Sequence, residues 1–167
     1  MVEAQKIKIE RAGPDGSAQL AEILYKDQVI GENLRQMITE ANAHYFQEPD
    51  TLIWFAYHGG IPVGMLWLIL DSDRENMSNG VDLAELHQFR VVSDFRGQKV
   101  GSLLYKIVVD EAKRRSFKTL TLAVEKDNLS AQDIYSHWGF RPDGTRVDLF
   151  GVEEVESIRM VKSLIET

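Results

Sequence analysis

Polar and apolar residues alternate from Gln5 to Glu10, which predicts a first strand. Ala12-Gly13-Pro14-Asp15-Gly16 breaks it. From Ser17 the period lengthens to that of a helix, with Leu20, Ala21, Leu24 and Tyr25 on one face and Ser17 placed to cap it. A second helix is predicted over 31–46, where Leu34, Met37, Ile38, Ala41 and Tyr45 form an apolar stripe ended by Glu48-Pro49-Asp50. Two strands follow, 52–57 and 61–70, joined by the turn signal His58-Gly59-Gly60. Residues 71–80 are polar, carry four charges and read as a mobile loop. The next strand, 81–92, is long enough to need a bend or bulge. A helix over about 100–115, a buried strand at 119–124 and a short helix at 130–137 stopped by Gly139 come after it. Strands from Phe140 towards Phe150 and over 155–161 close the pattern.

The chain has 167 residues, 44% of them apolar, which suits one domain with a real core. No repeat, linker or low-complexity stretch separates the elements, so a single domain over 1–167, of mixed α and β class, is expected. No run of about 18 uncharged apolar residues exists, so no membrane span or membrane partner is expected. Met1 to Lys6 lacks the apolar centre of a signal peptide, and a cytoplasmic location is the expectation. Without cysteine there is no disulfide, thiolate metal site or cysteine-bound acyl intermediate. His44 and His58 show no metal-ligand spacing, and no metal is expected. A net charge of −7 argues against a broad basic surface for nucleic acid and is compatible with a cationic amine as partner.

The chemistry concentrates between Glu85 and Ser102: a strand, a short turn and the start of a helix. A helix start aims unpaired N–H groups at one spot and favours an anion there. Arg96 and Lys99 add positive side chains, and Gly97 and Gly101 leave room for a ligand close to the backbone. A phosphate or pyrophosphate site at 96–102 is predicted. The spacing is not that of a P-loop, nor that of a dinucleotide fingerprint.

Arg96-Gly97-Gln98-Lys99-Val100-Gly101 resembles the coenzyme-A signature of the GNAT-type N-acetyltransferases, Gln/Arg-x-x-Gly-x-Gly/Ala, which also follows a strand and opens a helix. A second segment, Asn128 to Phe140, resembles that family's Asn-x-x-Ala-x-x-x-Tyr-x-x-x-Gly-Phe. The resemblance is closest over about 81–142. It implies the GNAT fold, a central, mostly antiparallel mixed sheet of about seven strands flanked by about four helices. It also implies acetyl-CoA as co-substrate and an amine as acceptor, with a homodimer as one arrangement. The signature's middle glycine is Lys99 here; its N–H remains, its ammonium can pair with a phosphate, and its Cβ crowds the turn.

Carried over residue by residue, the resemblance implies a coenzyme site of Phe89, Arg90 and Val91 on the strand, Arg96, Gly97, Gln98, Lys99, Val100, Gly101 and Ser102 in the turn, and Asn128, Ala131 and Tyr135 beyond. Backbone groups at 89 and 91 would pair with the pantetheine arm and polarise the acetyl carbonyl. Tyr135 would protonate the departing thiolate, against a plain reading as a packed helix tyrosine. Asn128 is either a helix cap or a coenzyme contact. An alkylammonium has a pKa of about 10.4, so a base is useful at neutral pH. Glu85 and His87 are the candidates, alone or together through water. Strand alternation places Glu85, His87, Phe89 and Val91 on one face and Arg90 on the other. Plainer readings make Glu85 an exposed strand-edge charge and His87 a partly buried polar residue. His137 and Trp138 read as structural. The resemblance implies an acceptor side formed by about 25–46, 71–80 and 144–154, and Tyr25, Tyr45, Trp54, Trp67, Asp71, Asp73 and Glu75 are candidates for lining it. Direct transfer of the acetyl group to a primary amine in a ternary complex is the expected reaction; a non-catalytic acyl-CoA sensor of the same fold is the alternative.

Overall fold

The β-branched and aromatic run from residue 51 onward pairs with the apolar run after it, giving the hairpin β2 (Thr51–His58) and β3 (Ile61–Ile69) inside a sheet. The computed structural model describes residues 6–150 and 152–165; Gln5 and the rest of the stretch read for a signal peptide, apart from Lys6, lie outside the described residues. β1 (Ile7–Arg11) pairs with β2, and β4 (Leu83–Val91) pairs with β3, all antiparallel. β5 (Thr119–Glu125) runs parallel to β4, then β7 (Glu153–Ser163) and β6 (Arg141–Phe150) complete an antiparallel group. The order β1-β2-β3-β4-β5-β7-β6 makes a seven-stranded mixed sheet, as expected.

Helices cover both faces. α3 (Val100–Arg114) buries Val100, Leu104, Val108, Val109 and Ala112 against Leu66, Leu68, Leu86, Leu120 and Leu122. α1 (Ser17–Lys26) buries Leu20 and Ile23 on the opposite face with Ile53, Phe55, Met65 and Trp67. α2 (Arg35–Asn42) joins α1 on that side, and α4 (Leu129–His137) follows β5. No described helix is long and apolar enough to cross a membrane.

Three local expectations change. Gly16, not Ser17, is the N-cap of α1; Ser17 is the first helical residue and is buried. The helical region predicted over 31–46 is three pieces, with 3-10 helices at Glu32–Leu34 and Ala43–Phe46 around α2. Its apolar stripe is not a core face, because Leu34, Met37 and Ala41 are exposed and only Ile38, Tyr45 and Phe46 reach the sheet. Finally, the polar segment 71–80 is held down rather than mobile. Its Met77 is fully buried, Thr121 Oγ1 donates to the Met77 carbonyl at 2.7 Å, and Arg159 donates twice to the Asn76 carbonyl at 3.0 and 2.8 Å.

Two features of β4 prepare the site. β4 and β5 pair only through Leu83–Thr119, Ala84–Leu120 and Glu85–Thr121, and then part. A wedge therefore opens between them with Glu85 at its apex. β4 also carries the anticipated bulge: Trp67 pairs with His87 but Met65 pairs with Arg90, so two β4 residues face Leu66. The extra residue is Gln88, whose φ of 52° is left-handed. That conformation costs a non-glycine residue on the order of 1–2 kcal/mol.

Candidate active site

The turn into α3 is built from backbone. A 3-10 helix at Ser93–Phe95 leads into Arg96 and Gly97, and Lys99 is the N-cap residue of α3. Gly97 has φ 77° and Lys99 φ 66°. The residue that replaces the glycine of the signature thus adopts the left-handed conformation a glycine favours. Among the described residues, no backbone carbonyl accepts from the N–H groups of Gly97 to Ser102, which leaves them free for an anion. Gly101 is required for packing: a Cβ there would sit 2.7 Å from Phe89 Cζ. Val100 is buried among core residues while its N–H remains in the turn, and Ser102 is exposed. Lys99 is exposed and has no ionic partner among the described residues.

Arg96 is already engaged. Its Nη2 donates to Asp27 Oδ2 at 3.0 Å and its Nε to the Val91 carbonyl at 3.1 Å. Asp27, at the C-cap of α1, also accepts from the Ser93 N–H at 3.0 Å and lies 3.4 Å from Arg90 Nη1. The carboxylate therefore fastens α1 to the turn and holds both arginines. Gln98 donates to the Asp94 carbonyl within the turn.

Phe89 and Val91 face α3; Phe89 packs on Tyr135 and Trp138, with ring centres 6.4 and 5.1 Å apart. Tyr135, on α4, also touches Phe140, and burial pushes its phenol up to about 12. Asn128 caps α4: its Oδ1 accepts from the Ala131 N–H at 3.2 Å. Trp138 stacks on Tyr105 at 4.2 Å, which fits the structural reading.

On the other face the arrangement differs from simple alternation. The bulge reverses the side-chain direction within β4, so Glu85 and His87 point away from α3 while Phe89 and Val91 point towards it; Arg90 shares the face of His87. Glu85 is not an exposed edge charge, for its side chain is 0% exposed. Its Oε2 bonds Arg74 Nη1 and lies 3.5 Å from His87 Nδ1, while Oε1 is buried without a partner among the described residues. His87 is 36% exposed and meets Trp67 edge-on at 5.7 Å. The indole N–H of Trp67 is likewise buried and has no partner among the described residues. Tyr45 reaches Trp67 at 5.3 Å, whereas Trp54 packs on the α3 side and cannot join them.

Segment 71–80 and the β6–β7 pair meet beside Glu85. Arg74 Nη2 lies 3.4 Å from Asp148 Oδ1, which also accepts from Arg146; Arg146 Nη1 donates to the Glu75 carbonyl at 2.6 Å. A cleft of about 460 Å³, lined by Glu75, Asn76, Asp143, Arg146 and Arg159 among others, opens there. Arg74, Asp148 and Asp27 are the residues that sequence reasoning missed. No motif signals them, because each partner is supplied by a distant element.

The family model for "Acetyltransferase (GNAT) family" matches residues 18–140. A Bacillus subtilis protein, provisionally named a ribosomal protein bS18-alanine N-acetyltransferase, is 25% identical over 85 residues, 51% of this chain and 49% of its own; the chain thus matches about half that relative's length. An uncharacterized N-acetyltransferase of Mycobacterium tuberculosis is 28% identical over 124 residues, 74% of each chain. The crystal structure of an aminoglycoside 6'-N-acetyltransferase complexed with coenzyme A superimposes with a TM-score of 0.69 at 18% identity, over 96% of this chain and 98% of that one, which concerns the fold. The matched span contains the wedge, the turn into α3 and the capped helix that carries Tyr135, and the chain belongs to the acetyltransferase (GNAT) family.

Proposed function

We propose that the protein transfers the acetyl group of acetyl-CoA to a primary amine by direct attack, with no acyl-enzyme. The observation that carries this reading is the wedge between β4 and β5, with a phenol on one side and a histidine–carboxylate pair on the other. The free N–H groups of 97–102 and the Lys99 ammonium fit a pyrophosphate, and the unpaired β4 edge at 89–91 fits the amides of a pantetheine arm. Acetyl-CoA, when bound, supplies an activated thioester acyl group.

Exposure divides the work on the acceptor side. His87 reaches solvent and Glu85 does not, so His87 takes the proton of the incoming ammonium and Glu85 orients its ring. The unpartnered Glu85 Oε1 suits a cationic acceptor, since a buried carboxylate oxygen without a donor favours any ammonium that reaches it. On the α3 side, the Tyr135 hydroxyl, held neutral by burial, donates its proton to the leaving sulfur.

Thermal unfolding with and without ligand tests the cofactor. Acetyl-CoA at 100 times its Kd raises stability by about 2.7 kcal/mol, and ATP or NAD raises it not at all. A shift with ATP alone overturns the reading. Release of free thiol over a panel of amines then separates an enzyme from a sensor.

A further inference from the structure

Glu85 and His87 do not stand alone on their strand. Arg74, from the segment between β3 and β4, bonds the buried Glu85 carboxylate through Nη1 and approaches Asp148 of β6 through Nη2. Arg146 holds Asp148 from the same strand and fixes the Glu75 carbonyl next to Arg74. The cluster therefore contains two carboxylates and two guanidiniums, and is neutral only while His87 carries no proton. Arg74 and His87 also address the same atom, Glu85 Oε2. A protonated His87 must share that oxygen with a guanidinium already bonded to it.

We propose that Arg74 is a positioning residue that sets the proton affinity of His87 through Glu85, keeping the histidine free to accept a proton from the amine. This rests on the reading of His87 as the base. Other groups around the cluster make contacts of their own. From the region after α2, His44 and Tyr45 approach only through Trp67; Thr121 on β5 donates its hydroxyl to Met77; Arg159 and Asp143 pair with each other across the cleft. Arg90, on the same strand face as His87, is held by Asp27.

The sign follows from the geometry. Replacing Arg74 with a neutral residue leaves Glu85 with His87 as its remaining cation, so His87 binds its proton more tightly. Replacing Asp148 instead leaves the Arg74 charge to Glu85 alone, and His87 binds its proton less tightly.

The test follows the His87 ring by NMR titration of the full chain, with the signal assigned by His87→Ala. Arg74→Gln is expected to raise the His87 midpoint by about one pH unit or more, a tenfold change in proton affinity. Arg74→Lys, which keeps a point charge but loses the fork, is expected to fall between the two. Asp148→Asn is expected to lower the midpoint, and it keeps the proposal falsifiable if Arg74→Gln does not fold. A midpoint unmoved in Arg74→Gln, or raised in Asp148→Asn, overturns the proposal. The acid limb of kcat/KM is expected to move with the midpoint. A chain with no turnover on any amine instead defeats the catalytic reading of His87, while the titration still decides whether Arg74 controls it.

Discussion

On the α3 side of the wedge the site comes from nearly continuous chain, the strand end, turn and helix start of 89–102 joined by one helix at 128–137. On the other side it is assembled from four separate places: Arg74, Glu85 with His87, Trp67 and Asp148. The first side binds with backbone, so its geometry follows from local conformation. The second binds with side chains and charge, so its geometry depends on long-range pairing. Substitutions should therefore fail differently on the two sides: steric and conformational changes matter on the α3 side, and changes of charge matter across the sheet.

The largest expected effect is on the α3-side residue whose side chain moves a proton. Tyr135→Phe is expected to lower kcat by about 100-fold or more while the Kd for coenzyme A stays unchanged. Equal losses in binding and turnover would make Tyr135 a packing residue instead. Its ionisation sharpens the same point. Burial raises the phenol to about 12 from an ordinary value of 10. A neutral phenol is the favoured form in the fold, so its share of stability is fully present below pH 10 and lost as pH climbs through about 12. Turnover limited by that proton stays flat on the alkaline side to pH 10, and stopped-flow rates at rising pH check it.

Next in size is Gly101→Val. Its Cβ would clash with the Phe89 ring, and overpacking of this kind costs about 1–3 kcal/mol. At about 2–4 °C per kcal/mol for a chain of this length, calorimetry reads the loss directly, and coenzyme binding weakens with it. The His87 titration, across the sheet, is expected not to move. The smallest effect is also the most diagnostic. Lys99→Gly relieves a left-handed lysine and is expected to raise stability by about 1 kcal/mol or less while lowering coenzyme A affinity severalfold. Gains in both would mean that the Lys99 ammonium contributes nothing to the cofactor.

The contrast between the sides also explains what the sequence disclosed. The turn and the Asn128 cap were legible because a helix start, a glycine and a capping side chain act within a few residues of one another. Even the lysine in the signature was visible, although its conformation was not. Simple alternation puts Glu85 and His87 on the face of Phe89 because it assumes an uninterrupted strand, and nothing in the glutamine at 88 announces a left-handed φ. Segment 71–80 read as mobile because four charges suggested solvent; instead one of them reaches a buried carboxylate, and Met77 anchors the loop. Pairs such as Arg74 with Asp148, 74 positions apart, belong to the folded sheet and leave no local pattern. The exposed stripe of α2 has the correct helical period, but period alone does not say whether a face meets the core or the acceptor side.

The bulge at Gln88 makes β4 change parity. Even and odd positions exchange faces midway along one strand, so a single element serves two compartments that the sheet otherwise keeps apart. No substitution can undo this, because parity is counted in residues rather than in side chains. Deleting Gln88 would restore strict alternation, and then either Phe89 leaves its place against Gly101 or the Glu85 carboxylate turns into the apolar packing beneath α3. The length of the strand, to the residue, is thus itself a part of the site.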